Sequence, residues 1–126
     1  MNNVELINRA KEAMKNAYAP YSGFKVGAAL LTDDLNVYTG CNIENATYGA
    51  TICAERTAAV KAVSEGSLHF VKIAIVSSSD EFTYPCGICR QFLMEFSKDL
   101  IIILSNSNGE IKEERLDALL PNAFKL

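Results

Sequence analysis

Three cysteines constrain this chain more than any other feature. Cys53 stands in Thr-Ile-Cys-Ala-Glu-Arg, and Cys86 and Cys89 form a Cys-x-x-Cys pair in Tyr-Pro-Cys-Gly-Ile-Cys-Arg-Gln. Three thiols are one ligand short of a closed structural zinc site, so a fourth position stays open for water. Glu55 follows Cys53 by two residues, and a carboxylate beside such a water can move its proton. The pattern predicts a hydrolytic zinc site rather than a structural one.

Length and composition favour one globular domain spanning residues 1–126, and 49% hydrophobic residues suffice to fill its core. No apolar run reaches the length of a membrane span, and the first residues lack a secretory pattern of basic and then apolar residues. The alternative for four cysteines is a disulfide framework, which requires an oxidising compartment. We therefore expect reduced thiols, a cytoplasmic location and no membrane partner.

The charge pattern argues against a nucleic-acid partner. Twelve basic and fifteen acidic residues give a net charge of −3. Lys11, Lys15 and Lys25 are too dispersed to form the basic stripe that phosphate neutralisation requires. A small neutral substrate is the better expectation.

The hydrophobic patterning alternates helices with buried strands. The predicted helices cover residues 3–18 with Asn3 as cap, 52–65 with Thr51 as cap and Gly66 as stop, and Pro85 to about Ser97, followed by a terminal turn at 116–120. The predicted strands cover residues 26–31, 37–42, 71–77, 100–105 and 110–114, the first two forming a hairpin. This order predicts an α/β fold: a single-domain, three-layer sandwich in which helices flank a mixed five-stranded sheet.

The predicted helices place all three cysteines in first turns. Helix N-termini carry partial positive charge and favour thiolates over thiols. Three thiolates around one zinc ion leave a net charge of −1, which weakens the metal as a Lewis acid. Arg56 lies three residues after Cys53 on the same helical face, so we expect it to hydrogen-bond the sulfurs and offset this charge.

Simpler interpretations exist for each of these residues. The Cys-x-x-Cys pair alone is typical of a thioredoxin-like redox motif, although that leaves Cys53 and Glu55 unexplained. A structural zinc would need Cys41 or His69 as a fourth ligand. Glu55 alone could be a first-turn acid favoured by the helix dipole. Core packing or turn formation could likewise account for three further residues: Phe24, Asn42 and Glu44.

Four segments together resemble cytidine deaminases, specifically the small zinc-dependent type with three cysteine ligands. The segments are residues 24–30 (Phe-Lys-Val-Gly-Ala-Ala-Leu), 40–46 (Gly-Cys-Asn-Ile-Glu-Asn-Ala), 53–56 (Cys-Ala-Glu-Arg) and 85–91 (Pro-Cys-Gly-Ile-Cys-Arg-Gln). The general zinc deaminase signature has His where this chain has Cys53. Cys-Ala-Glu with Pro-Cys-x-x-Cys is specific for deaminases, and Asn-x-Glu-Asn narrows the substrate to a nucleoside.

The resemblance implies hydrolysis of cytidine and deoxycytidine to uridine and deoxyuridine plus ammonia, in pyrimidine salvage. One zinc ion per subunit would be held by Cys53, Cys86 and Cys89. Activated water would attack C4 while Glu55 shuttles protons from that water to ring N3 and to the amino group. The pattern does not rank cytidine against deoxycytidine.

The resemblance also implies roles in substrate binding. Phe24 would stack on the base, Asn42 and Glu44 would hydrogen-bond the ribose hydroxyls, and the Ala54 N–H would bind the pyrimidine carbonyl. Small members of the family are homotetramers with sites at subunit interfaces. Two further aromatic residues would reach a neighbour's site: Tyr48 and Phe124.

Three rival functions are distinguishable. Blasticidin-S deaminases resemble this chain at both zinc motifs but depart from it at Asn-Ile-Glu-Asn. A polynucleotide cytosine deaminase would need a basic and aromatic surface. A non-catalytic zinc-binding interaction module would have no use for Glu55 beside an open metal position.

Overall fold

The computed structural model describes all residues from Met1 to Leu126. The elements in chain order are α1 (Asn3–Met14), β1 (Val26–Thr32), β2 (Val37–Cys41), a short 3₁₀ turn (Tyr48–Ala50), α2 (Ala54–Ser64), β3 (Phe70–Ser77), α3 (Gly87–Met94), β4 (Ile101–Ser105), β5 (Ile111–Arg115) and α4 (Leu116–Leu119). No helix combines the length and the apolarity that crossing a bilayer requires.

The five strands form one mixed sheet in the order β2-β1-β3-β4-β5. Only β3 and β4 run parallel, and the other neighbouring pairs are antiparallel. The predicted α/β fold with a mixed five-stranded sheet is confirmed. The parallel pair is joined through α3, as a crossover between parallel strands requires.

Successive residues of the central strands face opposite sides of the sheet, and both sides are covered by helices. Ala28 and Leu30 of β1 belong to a core shared with α2, α3 and α4, whereas Ala29 and Leu31 pack with α1. Burial of both faces explains why the central strands are continuously apolar rather than alternating. The result is the predicted three-layer arrangement.

The predicted helix boundaries need correction. Helix α1 is capped by Asn2, not Asn3, since the Asn2 side chain accepts a hydrogen bond from the Glu5 backbone N–H at 2.8 Å. The same helix ends at Met14, and Tyr18 instead pairs as an isolated β-bridge with Ile43. Pairing with another segment therefore overrides the helical pattern over the last residues of the predicted 3–18 helix.

The two helices next to the cysteines also begin later than predicted. Cys53, not Thr51, occupies the N-cap position of α2, and Cys86 occupies that of α3, which ends at Met94 instead of Ser97. Neither cysteine side chain makes a capping hydrogen bond. Preferences for Ser, Thr, Asp and Asn at caps rest on that bond, so they miss caps whose side chains serve another purpose.

Candidate metal centre and active site

Three thiols converge where α2 and α3 begin. The Sγ atom of Cys86 lies 3.7 Å from that of Cys53 and 3.5 Å from that of Cys89, which lies in the first turn of α3. These separations exceed the length of a disulfide by far. They match the ~3.8 Å expected between sulfurs that share a tetrahedral zinc ion at ~2.3 Å. The donor set therefore fits zinc, and neither Cys41 nor His69 is part of the cluster.

The electrostatics of the cluster favour a bound cation. The nearby Cys89 thiol and the Arg56 guanidinium lower the pKa of Cys53 to about 5. The hydrogen bond with Cys53 and, to a smaller extent, burial raise the pKa of Cys89. Negative charge is thus concentrated on a sulfur at neutral pH, as metal binding by thiolates requires.

Arg56 contacts the cluster from one helical turn beyond Cys53. Its Nη2 atom lies 3.7 Å from Cys53 Sγ and donates to the Thr51 carbonyl oxygen at 3.3 Å. Its Nε atom is buried and has no hydrogen-bond partner. The guanidinium therefore lies beside Cys53 Sγ, and its hydrogen bond and positive charge lower the pKa of that thiol.

Glu55 is the only charged residue buried in the interior, with 4% of its surface exposed. It lies in the first turn of α2, two residues after Cys53. Burial raises the pKa of Glu55 from its ordinary value of 4.5 to about 7, and the negative charge of Cys53 acts in the same direction. A carboxyl group in this state can both take up and release a proton near neutral pH.

A cavity of about 220 Å³ opens beside Glu55 and the thiols. It is enclosed by the start of β1 and the end of β2, by the start of α2, and by the loop before α3. The lining residues are Phe24, Val26, Asn42, Thr51, Ile52, Cys53, Ala54, Glu55, Thr83, Tyr84 and Cys86. Of the predicted site residues, this cavity unites Phe24, Asn42, Ala54, Glu55, Cys53 and Cys86.

Asn42 fixes one wall of this cavity. Its Nδ2 atom donates to the Phe24 carbonyl oxygen at 2.7 Å, and its Oδ1 atom accepts from the Val26 N–H at 2.9 Å. Asn42 is 9% exposed, whereas Phe24 is 38% exposed. The buried amide thus holds the Phe24 backbone, and with it the ring, at the cavity wall.

Glu44, Tyr48 and Phe124 do not line the cavity. The Glu44 carboxylate accepts hydrogen bonds from the backbone N–H groups of Tyr21 and Ser22 and from the Ser22 hydroxyl, and this hydroxyl lowers the pKa of Glu44. Tyr48 packs edge-on against Tyr21 and is 78% exposed.

Phe124 belongs to the C-terminal tail and is 68% exposed. The Gln91 side chain of α3 donates to its carbonyl oxygen at 3.1 Å. Within one chain the tail aromatic ring therefore lies apart from the cavity.

Sequence reasoning missed several cavity residues, notably Thr83 and Tyr84. The Thr83 hydroxyl donates to Ser77 Oγ at 2.6 Å, and the Tyr84 hydroxyl donates to the Glu114 carboxylate at 3.3 Å. Both residues directly precede the Pro85-Cys86 motif. Their position next to the predicted metal ligand Cys86 is the only signal in the sequence that could identify them.

Comparison with known proteins agrees with this geometry. Residues 1–105 match the family described as the cytidine and deoxycytidylate deaminase zinc-binding region. A cytidine deaminase of Sporosarcina psychrophila is 48% identical over 95% of this chain and 89% of its own length. One from Halalkalibacterium halodurans is 50% identical over 94% of this chain and 91% of its own length.

Solved structures extend the likeness to the whole fold. The crystal structure of a cytidine deaminase from Burkholderia pseudomallei superposes with a TM-score of 0.94 at 46% identity, covering 98% of this chain and 100% of that one. The similarity includes the family's zinc-binding region, and three thiols suited to zinc converge there in this chain. The chain therefore belongs to the cytidine and deoxycytidylate deaminase family and is a zinc-dependent hydrolytic deaminase.

Proposed function

We propose that this protein deaminates cytidine and deoxycytidine to uridine and deoxyuridine, with release of ammonia. The observation that carries the proposal is a buried glutamic acid, Glu55, beside three converging thiols in a cavity that also offers an aromatic ring and a buried amide. The relatives that align with nearly the whole chain are named cytidine deaminases, which supports a cytosine nucleoside as substrate.

Cys53, Cys86 and Cys89 are the proposed zinc ligands, with one ion per subunit. Zinc bound there supplies Lewis-acid chemistry, because it lowers the pKa of a water molecule towards neutrality. The proposed role of Arg56 is to offset the excess negative charge of three thiolates, and its Nη2 contact with Cys53 Sγ supports this role.

Glu55 is the proposed proton carrier. It accepts a proton from the attacking water and passes it to ring N3 while the water oxygen bonds to C4. It then moves the remaining hydroxyl proton to the amino group, the C4–N bond breaks, and ammonia leaves as the C4 carbonyl forms. In the metal-free chain burial raises the pKa of Glu55 to about 7, towards the range in which a carboxyl group can both accept and donate a proton.

Substrate binding follows from the cavity walls. Phe24 offers a ring face for the base, and the Ala54 N–H, in the first turn of α2, has no intrahelical partner and can donate to the pyrimidine carbonyl. We assign the ribose hydroxyls to Asn42, which lines the cavity, and, from the family resemblance alone, to Glu44, which lies outside the cavity. The Ser22 hydroxyl holds the pKa of Glu44 below its usual range, so Glu44 stays anionic and disfavours a phosphate on the sugar.

The active form is proposed to be a homotetramer. The cavity of one chain, about 220 Å³, is smaller than the ~300–1,000 Å³ usual for ligand sites, and part of its wall is open to solvent. Tyr48 and Phe124 are exposed aromatic residues that could complete a neighbour's cavity. Because the zinc ligands must stay reduced, we also propose a cytoplasmic role in pyrimidine salvage.

The direct test supplies the zinc-loaded protein with cytidine, deoxycytidine, cytosine, cytidine monophosphate and blasticidin S, and follows ultraviolet absorbance and ammonia. We expect both nucleosides to be deaminated and the other three compounds to react far more slowly. Absence of ammonia from either nucleoside would overturn the assignment. Faster turnover of the monophosphate than of cytidine would contradict the role of Glu44.

Subunit mixing tests whether a neighbour completes the site. Glu55→Ala removes the proton carrier but keeps Phe124, while Phe124→Ala keeps the proton carrier. If Phe124 acts in a neighbour's cavity, oligomers reassembled from the two variants should regain a low KM that neither variant has alone. No recovery in mixed tetramers, verified by light scattering, would refute the shared site.

A further inference from the structure

Gly40 lies on β2 where α2 crosses the strand at unusually short range. A Cβ atom added to Gly40 would lie 2.5 Å from the Ala54 carbonyl oxygen, 2.5 Å from the Ala58 nitrogen and 2.9 Å from the Thr57 Cβ atom. The first two are backbone atoms, which cannot rotate away as a side chain can. The backbone of Gly40 is not in the left-handed region, so the requirement for glycine here is one of space.

This contact bears on the part of α2 that carries the chemistry. Ala54 stands between Cys53 and Glu55, and both Ala54 and Ala58 are fully buried. The Thr57 backbone and hydroxyl both donate to the Cys53 carbonyl oxygen, which ties the residues facing Gly40 to the first thiol. Any outward movement of this turn relative to β2 therefore carries Cys53 and Glu55 with it.

The cavity wall opposite α2 is connected to β2, the strand that contains Gly40. Asn42 follows Gly40 by two residues, and its side chain holds the backbone of Phe24 and Val26. The separation between β2 and α2 at Gly40 thus sets the distance from Phe24 and Asn42 to Cys53 and Glu55. The cavity lies between these two walls.

We infer that Gly40 is a positioning residue for the active centre: its missing side chain fixes how deeply the first turn of α2 sits against the sheet. It thereby sets where Cys53 lies relative to the Cys86–Cys89 pair and where Glu55 lies relative to the Phe24 wall. The effect on turnover rests on the proposed function, whereas the effect on zinc binding does not.

Gly27 provides a matched control on the opposite face of the sheet. A Cβ atom there would lie 2.1 Å from the Ala10 carbonyl oxygen and 2.7 Å from the Met14 nitrogen, both in α1. Helix α1 contributes no residue to the thiol cluster or to the cavity. Gly27→Ala therefore introduces a backbone clash of at least equal severity on the α1 side of the sheet, whereas the thiols lie on other elements. Because Gly27 directly follows Val26, which lines the cavity, this variant controls the zinc measurement and not kcat.

The experiment compares Gly40→Ala, Gly27→Ala and the wild type. Restoring an ordinary contact of 3.4 Å at Gly40 requires the first turn of α2 to retreat by about 0.9 Å. A displacement of that size should lower kcat of the zinc-loaded enzyme about 100-fold. Zinc affinity, measured by competition with a chromophoric chelator, should fall about 10-fold or more. Gly27→Ala should lower the melting temperature while leaving zinc affinity at the wild-type level.

If Gly40→Ala does not fold, two substitutions of Thr57 test the same contact with a smaller perturbation. Thr57 is only half-buried, so Thr57→Leu adds bulk at the same contact with atoms that can partly turn to solvent, and Thr57→Val is its isosteric control. Thr57→Leu should bind zinc more weakly than Thr57→Val.

The inference would be overturned if folded Gly40→Ala bound zinc as tightly as the wild type, or if Gly27→Ala lost as much zinc affinity as Gly40→Ala. Equal zinc affinities of Thr57→Leu and Thr57→Val would also overturn it. A wild-type protein without deaminase activity would overturn the proposed function, yet the zinc measurements would still test Gly40.

Discussion

Glu55→Gln should stabilise the zinc-free protein and do so increasingly as the pH rises. The substitution keeps the size of the side chain but removes a carboxyl group that is 4% exposed and whose pKa burial raises to about 7. In the unfolded chain this carboxyl ionises near its ordinary value of 4.5. Ionisation therefore favours the unfolded state, and the loss of stability develops as pH rises from 4.5 to about 7 and is complete above it.

The size of the effect follows from the same shift. A rise in pKa from 4.5 to about 7 corresponds to roughly 3 kcal/mol of folding free energy at pH above 7. At pH 5.5 only about half of this destabilisation has developed. The difference in stability between Glu55→Gln and wild type should therefore widen by about 2 kcal/mol between pH 5.5 and 8. Turnover should meanwhile fall by several orders of magnitude, because the amide cannot carry a proton.

The assay is urea unfolding of chelator-treated, reduced proteins at several pH values and one protein concentration. Glu81→Gln, which removes an exposed carboxylate, controls for the loss of one negative charge. If Glu55→Gln were no more stable than wild type at pH 8, the pKa of Glu55 would not be raised in the folded protein. The reasoning about its dual role as proton acceptor and donor would then fail.

Three further outcomes are expected. Cys41→Ala should keep zinc and activity whereas Cys89→Ala loses both, as metal analysis would show; zinc loss in Cys41→Ala would make that thiol a ligand. Arg56→Met should weaken zinc binding about 10-fold in chelator competition, and an unchanged affinity would contradict charge compensation. Glu44→Gln should raise kcat/KM for cytidine monophosphate relative to cytidine, and an unchanged ratio would show that its carboxylate does not exclude phosphate.

The sequence predicted the convergence of the thiols because each cysteine stands at the start of a helix that follows a loop. It missed which residue caps each helix. Thr51 and Pro85 satisfy general preferences for helix starts, but Cys53 and Cys86 hold the cap positions with their side chains free of capping bonds. Those preferences describe hydrogen bonding at the start of a helix and carry no information about the convergence of three thiols at one position.

Long-range contacts account for most of what the sequence could not predict. Nothing in the neighbourhood of Asn42 reveals that its amide bonds to the backbone at Phe24 and Val26, since this depends on which groups lack a partner when the strands pair. The close approach of α2 at Gly40 is equally invisible until the helix is packed on the sheet. The proposed reach of Tyr48 and Phe124 into a neighbour's cavity likewise depends on assembly rather than on local sequence pattern.

X-ray absorption spectroscopy of the zinc-loaded, reduced protein is the most direct test of the central claim that three thiolates hold the metal and leave one coordination position free. The account predicts three sulfur scatterers at about 2.3 Å and one lighter, non-protein ligand that cytidine analogues perturb. Four sulfurs, or a histidine signal that His69→Ala removes, would mean a closed structural site and would contradict a hydrolytic role for Glu55.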